Sequence, residues 1–452
     1  MRIHFIAIGG SAMHNLAIAL HNKGYEVSGS DDVIFEPSKS RLQKKGLLPA
    51  SFGWFPENIS EGLDAIILGM HAKSDNPELL KAQELGLKIY SYPEFLYEQS
   101  ENKTRVVIGG SHGKTTITSM ILHVMNYHDK GVDYMVGAQL EGFETMVHLT
   151  EENEFIVLEG DEYLSSPLDR RPKFHLYQPN IALLSGIAWD HINVFPTYEN
   201  YVQQFETFVD TIVNGGSISY NEEDLKLKQI VEGSQNPIRK FPYKTPAHYI
   251  ENGITFLETE EGPMPVEIFG AHNLNNLAGA KWICQHMGID EADFYEAIAS
   301  FKGASKRLEK IAENSNSVAY KDFAHSPSKV SATTQAVKKQ YTGKKLVACL
   351  ELHTYSSLNA DFLKEYQGAL DAADVAVVFY SPKAVEIKRL EAISYEQIAD
   401  AFKRDDLIIY TESNDFKDFL FSQDFTDKTL LLMSSGNYGG LDFDEVNELF
   451  AK

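Results

Sequence analysis

Short strand-like runs, most of them apolar, recur along the chain at Ile3 to Ile8, Glu26 to Gly29, Ala65 to Leu68, Val106 to Ile108, Phe155 to Leu158, Ile181 to Leu184, Lys345 to Leu350, Val375 to Phe379 and Thr429 to Met433. Runs of this length, separated by longer stretches of helical apolar spacing, are the pattern of strands buried on both faces of a parallel sheet. The rhythm predicts α/β units with helical crossovers. A polar tract at Glu98 to Lys103 predicts the end of a first unit, placing boundaries at 1–101, 102–303 and 304–452, with residues 303 to 306 as a hinge. Between Ser217 and Ile268, short strand-like pieces predict a local antiparallel excursion.

Length agrees with this division, because 452 residues exceed one ordinary core. A formal charge of −23 argues against nucleic acid or an anionic membrane as partner, so any phosphate must be held locally. Cys284 and Cys349 are the two cysteines, too few for a disulfide framework or a cysteine-based zinc site. Gly9 and Gly10 interrupt the apolar N-terminus, which reads as a first strand rather than a signal peptide. No run approaches the ~18 apolar residues of a membrane span, and a cytoplasmic protein is expected.

The candidate chemistry lies after strands. Following Val106 to Ile108 come Gly110, Ser111, His112, Gly113, Lys114, Thr115 and Thr116, and then a helical pattern from Ile117. Backbone N–H groups of such a loop hold phosphate oxygens, Lys114 adds a point charge, and the Thr115 hydroxyl suits Mg²⁺. Ile108 stands where the general motif has its first glycine, so the loop is a shortened variant. After Phe155 to Leu158, the sequence Glu159-Gly-Asp-Glu-Tyr163 sets carboxylates at a strand's C-terminal end, where α/β sheets bind ligands; an acidic turn of this kind is also commonly just solvated. After Ile181 to Leu184, Gly186-Ile-Ala-Trp-Asp190-His191 repeats the placement, with His191 either a metal ligand or a structural histidine. His272, Asn273 and Asn276 open a helix, where capping is the plainer explanation of the asparagines.

Together these residues resemble the Mur ligases, ATP-dependent amide-forming enzymes of peptidoglycan synthesis. The resemblance spans the chain and implies a fold of three α/β domains: a Rossmann-like N-terminal domain, a central P-loop ATPase-type domain and a Rossmann-like C-terminal domain. It implies ATP and Mg²⁺ as cofactors, with Thr115, Glu159 and His191 as metal residues. It places His272, Asn273, Asn276, Arg307 and Asp322 on the nucleotide, beside Gly110 to Thr116. Lys114, Glu159, His191, Arg307 and His325 become the catalytic candidates. Gly9, Gly10, Ser11, Ala12, Met13, Ser30 and Asp31 are similar to the first domain of the members that take UDP-N-acetylmuramate.

Among those members, Phe35-Glu-Pro-Ser, Leu168-Asp-Arg-Arg-Pro-Lys-Phe174 and Ser434-Ser-Gly-Asn-Tyr-Gly-Gly440 favour the branch that joins L-Ala-γ-D-Glu-meso-diaminopimelate in peptidoglycan recycling. L-Alanine is the alternative amine. Glu351-Leu-His-Thr-Tyr355 departs from both groups. No lysine lies between His191 and Lys226 to be carbamoylated, and Glu206 is the candidate for that acidic role. A monomer or weak homodimer is expected. A dinucleotide-dependent dehydrogenase is the weaker reading of Gly9-Gly10, since the full Gly-x-Gly-x-x-Gly spacing is missing; a non-catalytic sensor of ATP or wall precursors would share the same loops.

Overall fold

The computed structural model describes residues 1–140, 142–304 and 307–450; of the expected hinge, Ser305 and Lys306 lie outside the described residues. By contacts the chain forms two compact units. One comprises Met1–Ile187, Val202–Tyr243 and Gly279–Phe294, the other Ala188–Tyr201, Lys244–Ala278 and the chain from Tyr295 onward.

The first unit holds two sheets. Strands β1 (Arg2–Ile6), β2 (Glu26–Ser30), β3 (Ala65–Leu68) and β4 (Ile89–Ser91) are parallel in the order β2-β1-β3-β4. Ile3, Phe5 and Ile6 are fully buried, and helix α1 (Ser11–Asn22) covers the sheet with Met13 to Leu20. Because β2 and β3 flank β1 on opposite sides, the chain leaves β1 where strand order reverses, the position at which such sheets open a crevice.

The second sheet comprises β5 (Thr104–Gly109), β6 (Asp133–Met135), β7 (Val147–His148), β8 (Phe155–Glu159), β9 (Ile181–Leu184), β10 (Ser217–Asn221) and β11 (Arg239–Tyr243), ordered β11-β10-β9-β5-β8-β6-β7. It is parallel apart from the β6–β7 pair. Here β5 occupies the reversal point, and helix α2 (Lys114–Tyr127) starts from its C-terminal end. The expected antiparallel excursion from Ser217 is thus corrected: β10 and β11 are parallel strands of this sheet. Two buried serines, Ser217 and Ser219, break the apolar run that would have announced β10.

In the second unit, β12 (His248–Glu251), β13 (Ile254–Thr259) and β14 (Gly262–Val266) form the antiparallel meander that was expected from part of that stretch. A further sheet orders β15 (Glu309–Glu313), β16 (Val318–Asp322), β17 (Lys345–Leu352), β18 (Val375–Tyr380), β19 (Ile408–Tyr410) and β20 (Lys428–Met433) as β15-β16-β20-β17-β18-β19, parallel beyond the antiparallel β15–β16 edge. Alternation along β17, β18 and β20 feeds two cores. Leu346, Ala348, Leu350, Val378 and Leu431 face one, which helix α3 (Pro327–Gln340) covers with Val330 and Val337. Val347, Cys349, Val377, Phe379, Leu430 and Leu432 face the other. Burial on both faces explains why these strands read as unbroken apolar runs.

Candidate active site

The loop between β5 and α2 is shaped by glycines that cannot be replaced in place. At Gly110, φ is 129° and a Cβ would stand 2.1 Å from Ser185 Oγ; Gly113, with φ 78°, caps α2. The segment after β9 grips the loop from below: Ser111 N–H donates to Gly186 O at 3.0 Å, and the Ser185 hydroxyl donates to His112 O. The first-turn amides of α2, which have no partner within the helix, therefore open at the end of the central strand, with the positive end of the helix behind them.

Carboxylates from the end of β8 face this loop. The Thr115 hydroxyl donates to Glu159 Oε1 at 2.8 Å, and Gly137 N–H donates to Glu159 Oε2 at 2.8 Å. Lys114 Nζ donates to Gly110 O at 2.7 Å and to Glu162 Oε2 at 2.6 Å. Burial would lower the Lys114 ammonium, but Glu162, Asp161 and Glu159 outweigh it and raise it above the usual lysine range. Lys173 in turn neutralises Asp161 at 2.5 Å. A fixed cation, a hydroxyl and a carboxylate thus converge where a bound phosphate chain would lie. Glu159 and Thr115 supply hard oxygens that fit Mg²⁺, which takes one or two carboxylates and completes its shell with phosphate and water. Among the described residues no group of three or more His, Cys, Asp or Glu could form a metal cage.

The first sheet presents Gly9, Gly10, Ser11, Ala12 and Met13 at the C-terminal end of β1. Gly9 N–H donates to Asp31 Oδ2 at 2.7 Å, and a Cβ on Gly9 would come within 2.9 Å of that oxygen. Burial, with Asp32 adding to it, raises the Asp31 carboxyl despite this N–H. Two of the expected residues face elsewhere. The buried Ser30 hydroxyl lies 3.5 Å from His4 Nε2, and Met13 packs into the core.

In the second unit, His191 has a left-handed backbone (φ 55°), uncommon outside glycine. Its N–H donates to Asp190 Oδ1 at 2.7 Å, so Asp190 binds the backbone of this turn, and Lys329 Nζ approaches Asp190 Oδ2 at 3.9 Å. Burial alone would raise Asp190, but His191, Lys329 and His325 hold it down to about 2. Burial and then Lys329 push His325 down to about 3, leaving the imidazole neutral at physiological pH; its Nδ1 lies 2.7 Å from Phe323 O. Arg307 stacks over Phe323 with its guanidinium carbon 4.9 Å from the ring centre. Asp322 accepts from the Thr333 hydroxyl at 2.8 Å. His272 is half-buried, and desolvation lowers it against the pull of Asp322. Asn273 Nδ2 donates to Phe269 O at 3.1 Å, so that side chain serves the helix start, and Asn276 is buried.

Sequence reasoning gave no role to Glu162, Ser185, Gly137 or Lys329. Glu162 carried a legible signal, since a buried lysine needs a carboxylate and this one lies three residues after Glu159. Ser185 and Gly137 are made neighbours of the loop by strand order, and Lys329 reaches Asp190 from helix α3.

The chain matches the family description "Mur ligase family, catalytic domain" over residues 2–104 and "Mur ligase middle domain" over residues 108–284. It is 30% identical to a UDP-N-acetylmuramate–L-alanine ligase from Sulfurihydrogenibium sp. (strain YO3AOP1), covering 91% of this chain and 89% of that one. The UDP-N-acetylmuramate–alanine ligase from Thermotoga maritima superposes with a TM-score of 0.70 at 20% identity, covering 100% of this chain and 98% of that one. The UDP-N-acetylmuramate:L-alanyl-γ-D-glutamyl-meso-diaminopimelate ligase from Neisseria meningitides gives a TM-score of 0.59 at 26% identity, covering 67% of this chain and 98% of that one.

Proposed function

The chain belongs to the Mur ligase family, and from that premise we propose that it joins the carboxylate of UDP-N-acetylmuramate to an amine through an acyl phosphate. As a member it is an ATP-dependent C–N ligase with three α/β domains. The observation that carries the reading is the phosphate loop, with Lys114 and Thr115 facing Glu162 and Glu159 at 2.6 and 2.8 Å.

In this reading the carboxylate takes the terminal phosphoryl group of ATP, the amine attacks the acyl phosphate, phosphate leaves and an amide remains. The α2 amides and Lys114 hold the phosphate chain and stabilise the charge that spreads over the transferring group. Glu159 and Thr115 would hold Mg²⁺, which supplies further charge neutralisation when bound. The ammonium is pre-positioned: Gly110 O and Glu162 keep it inside the loop, so it need not reorganise when phosphate arrives. His191, Arg307, Asp322 and His325 are proposed to act beside the nucleotide and the amine. His325, held neutral and weakly basic, suits orientation of a group better than storage of a proton.

The amine that the relatives favour is L-alanine, the substrate in the name of the Sulfurihydrogenibium ligase. A second reading, the tripeptide L-Ala-γ-D-Glu-meso-diaminopimelate, is favoured by the identity shared with the Neisseria ligase and by the sequence of the turn at 434–440. Phosphate release with ATP, Mg²⁺ and UDP-N-acetylmuramate, offering each amine separately and identifying products by mass spectrometry, decides between them. Turnover with L-alanine alone supports the first reading, turnover with the tripeptide alone the second. Release with neither would defeat both.

A further inference from the structure

The second unit carries a knot of polar groups to which the mechanism above gives no role. Strands β16, β20 and β17 lie side by side, with Met433 opposite both Asp322 and Leu350. The segments at 323–325, 434–440 and 353–355 therefore leave the sheet on one edge, the C-terminal edge at which parallel sheets bind ligands.

Near the end of β17, Glu351 is 3% exposed. The Ser434 hydroxyl and the Tyr438 N–H, the latter at 2.8 Å, both donate to its Oε2, and Gly436 N–H donates to Ser434 Oγ at 2.6 Å. Tyr438 anchors this turn: its hydroxyl, 2.8 Å from Cys349 O and 2.9 Å from Met433 O, is buried, and its φ of 54° lets the chain reverse into Gly439 and Gly440. The other carboxylate oxygen, Oε1, lies 3.6 Å from Nδ1 of the partly exposed His353. Gly436 closes over both, since a Cβ there would stand 2.8 Å from Glu351 Oε2 and 3.1 Å from the His353 ring.

Burial alone would raise Glu351, but His353, Ser434 and Tyr438 hold it below the usual glutamate range, so its charge is kept. An ionised carboxylate that served only to tie down a turn would cost more desolvation than an amide in its place. Here one oxygen takes the N–H and O–H donors, and the other faces, at ion-pair distance, an imidazole whose remaining surface reaches solvent. A carboxylate so placed orients a histidine by attracting its charged form.

The geometry points to Glu351 as a positioning residue of the ligase, holding His353 against the 434–440 turn so that the ring, as an imidazolium with Nδ1 toward Glu351, presents its Nε2–H to a carboxylate of the amine substrate. The inference rests on the ligase reading, and it deepens it: L-alanine and the tripeptide both bring a free carboxylate, which a ring donor on this edge would select over a simple amine. The edge already carries Asp322 and His325.

Steady-state kinetics on Glu351→Gln, His353→Gln and the double variant test it, with thermal unfolding recorded for each. Glu351→Gln is expected to raise the amine KM about tenfold, the effect of losing a charge-assisted contact, with the KM values for ATP and UDP-N-acetylmuramate unchanged within about twofold. His353→Gln should do the same, and the double variant should add nothing, since the two act as a unit. An unchanged amine KM in either single variant, or a parallel rise of all three KM values with a lowered melting temperature, overturns the assignment. Should Glu351→Gln fail to fold, the half-exposed His353→Gln decides alone. A wild-type chain that turns over neither amine defeats the ligase reading and this assignment with it. A wild-type chain that turns over beside a variant of unchanged amine KM defeats the assignment only.

Discussion

Lys114 and Glu162 form a pair in which the lysine side chain is 14% and the glutamate 1% exposed, and that burial determines how any substitution reads. Removing one partner of a buried pair leaves an uncompensated charge at a cost of roughly 3–5 kcal/mol, whereas replacing both is often neutral. Lys114→Ala is therefore expected to lower stability by about that amount and turnover by about a hundredfold or more. Lost activity in that variant alone would be ambiguous. Combining Lys114→Met with Glu162→Gln should recover most of the stability while phosphate release stays lost, as urea unfolding and a phosphate assay would check. A double variant that turned over normally would sink the phosphate role. Lys114, Thr115 and Glu159 were legible in the sequence because phosphate and metal chemistry demands those types next to a strand end. The pairing of Lys114 with Glu162 was not, since nothing local says which of three acidic residues in the β8 loop turns inward.

At the level of elements, the phosphate loop works only because β9 runs beside β5 and sends Ser185 and Gly186 under it. Gly110→Ala forces a Cβ into Ser185 Oγ at 2.1 Å in a backbone region that side chains rarely adopt. The expected result is a loss of ATP affinity of about tenfold or more with the α2 core, centred on Ile117, Met120 and Ile121, left intact. Isothermal titration with ATP and far-ultraviolet circular dichroism separate those effects. Ser185→Gly should partly restore binding in the Gly110→Ala background, and failure to do so would mean that the clash lies elsewhere. All nine expected strands are present within a residue or two; most are buried on both faces and carry no polar interruption, whereas β2, with Glu26 and Ser28 exposed, is recognised by its place between two turns. Strands such as β10, with Ser217 and Ser219 facing buried surroundings, and the short β6, β7 and β19, follow from pairing partners far away in sequence. The pattern of a single segment does not contain that information.

Across the whole molecule, titration of histidines that folding shields from water sets a pH dependence of stability. His14, His175, His272, His286 and His325 are each lowered from the ordinary value of 6.5 chiefly by burial. A base whose folded pKa is lowered binds its proton more readily when unfolded, so its contribution is complete above pH 6.5 and is lost as pH falls below it. Each histidine costs at most about 1.4 kcal/mol per pH unit in that range. Carboxylates act later: Asp190, lowered from 3.8 to about 2, keeps its contribution until pH drops below 3.8 and loses it on the way to its folded value. The formal charge of −23 pulls the other way, because protonation relieves repulsion among surface carboxylates. That competing effect is screened by salt, while the desolvation of these histidines is not. At about 0.5 M salt, where the Debye length is only a few ångströms, the melting temperature is therefore expected to fall steadily between pH 7.5 and 5. His14→Gln, which keeps a hydrogen-bonding group beside Gly10 O and Ser38 Oγ at 2.9 and 3.0 Å, should make that fall shallower, and His175→Gln beside Gln204 O should add to the effect. A melting profile that rose on acidification in high salt would show that these rings meet no desolvation, and a variant slope equal to that of wild type would assign the pH dependence to other groups.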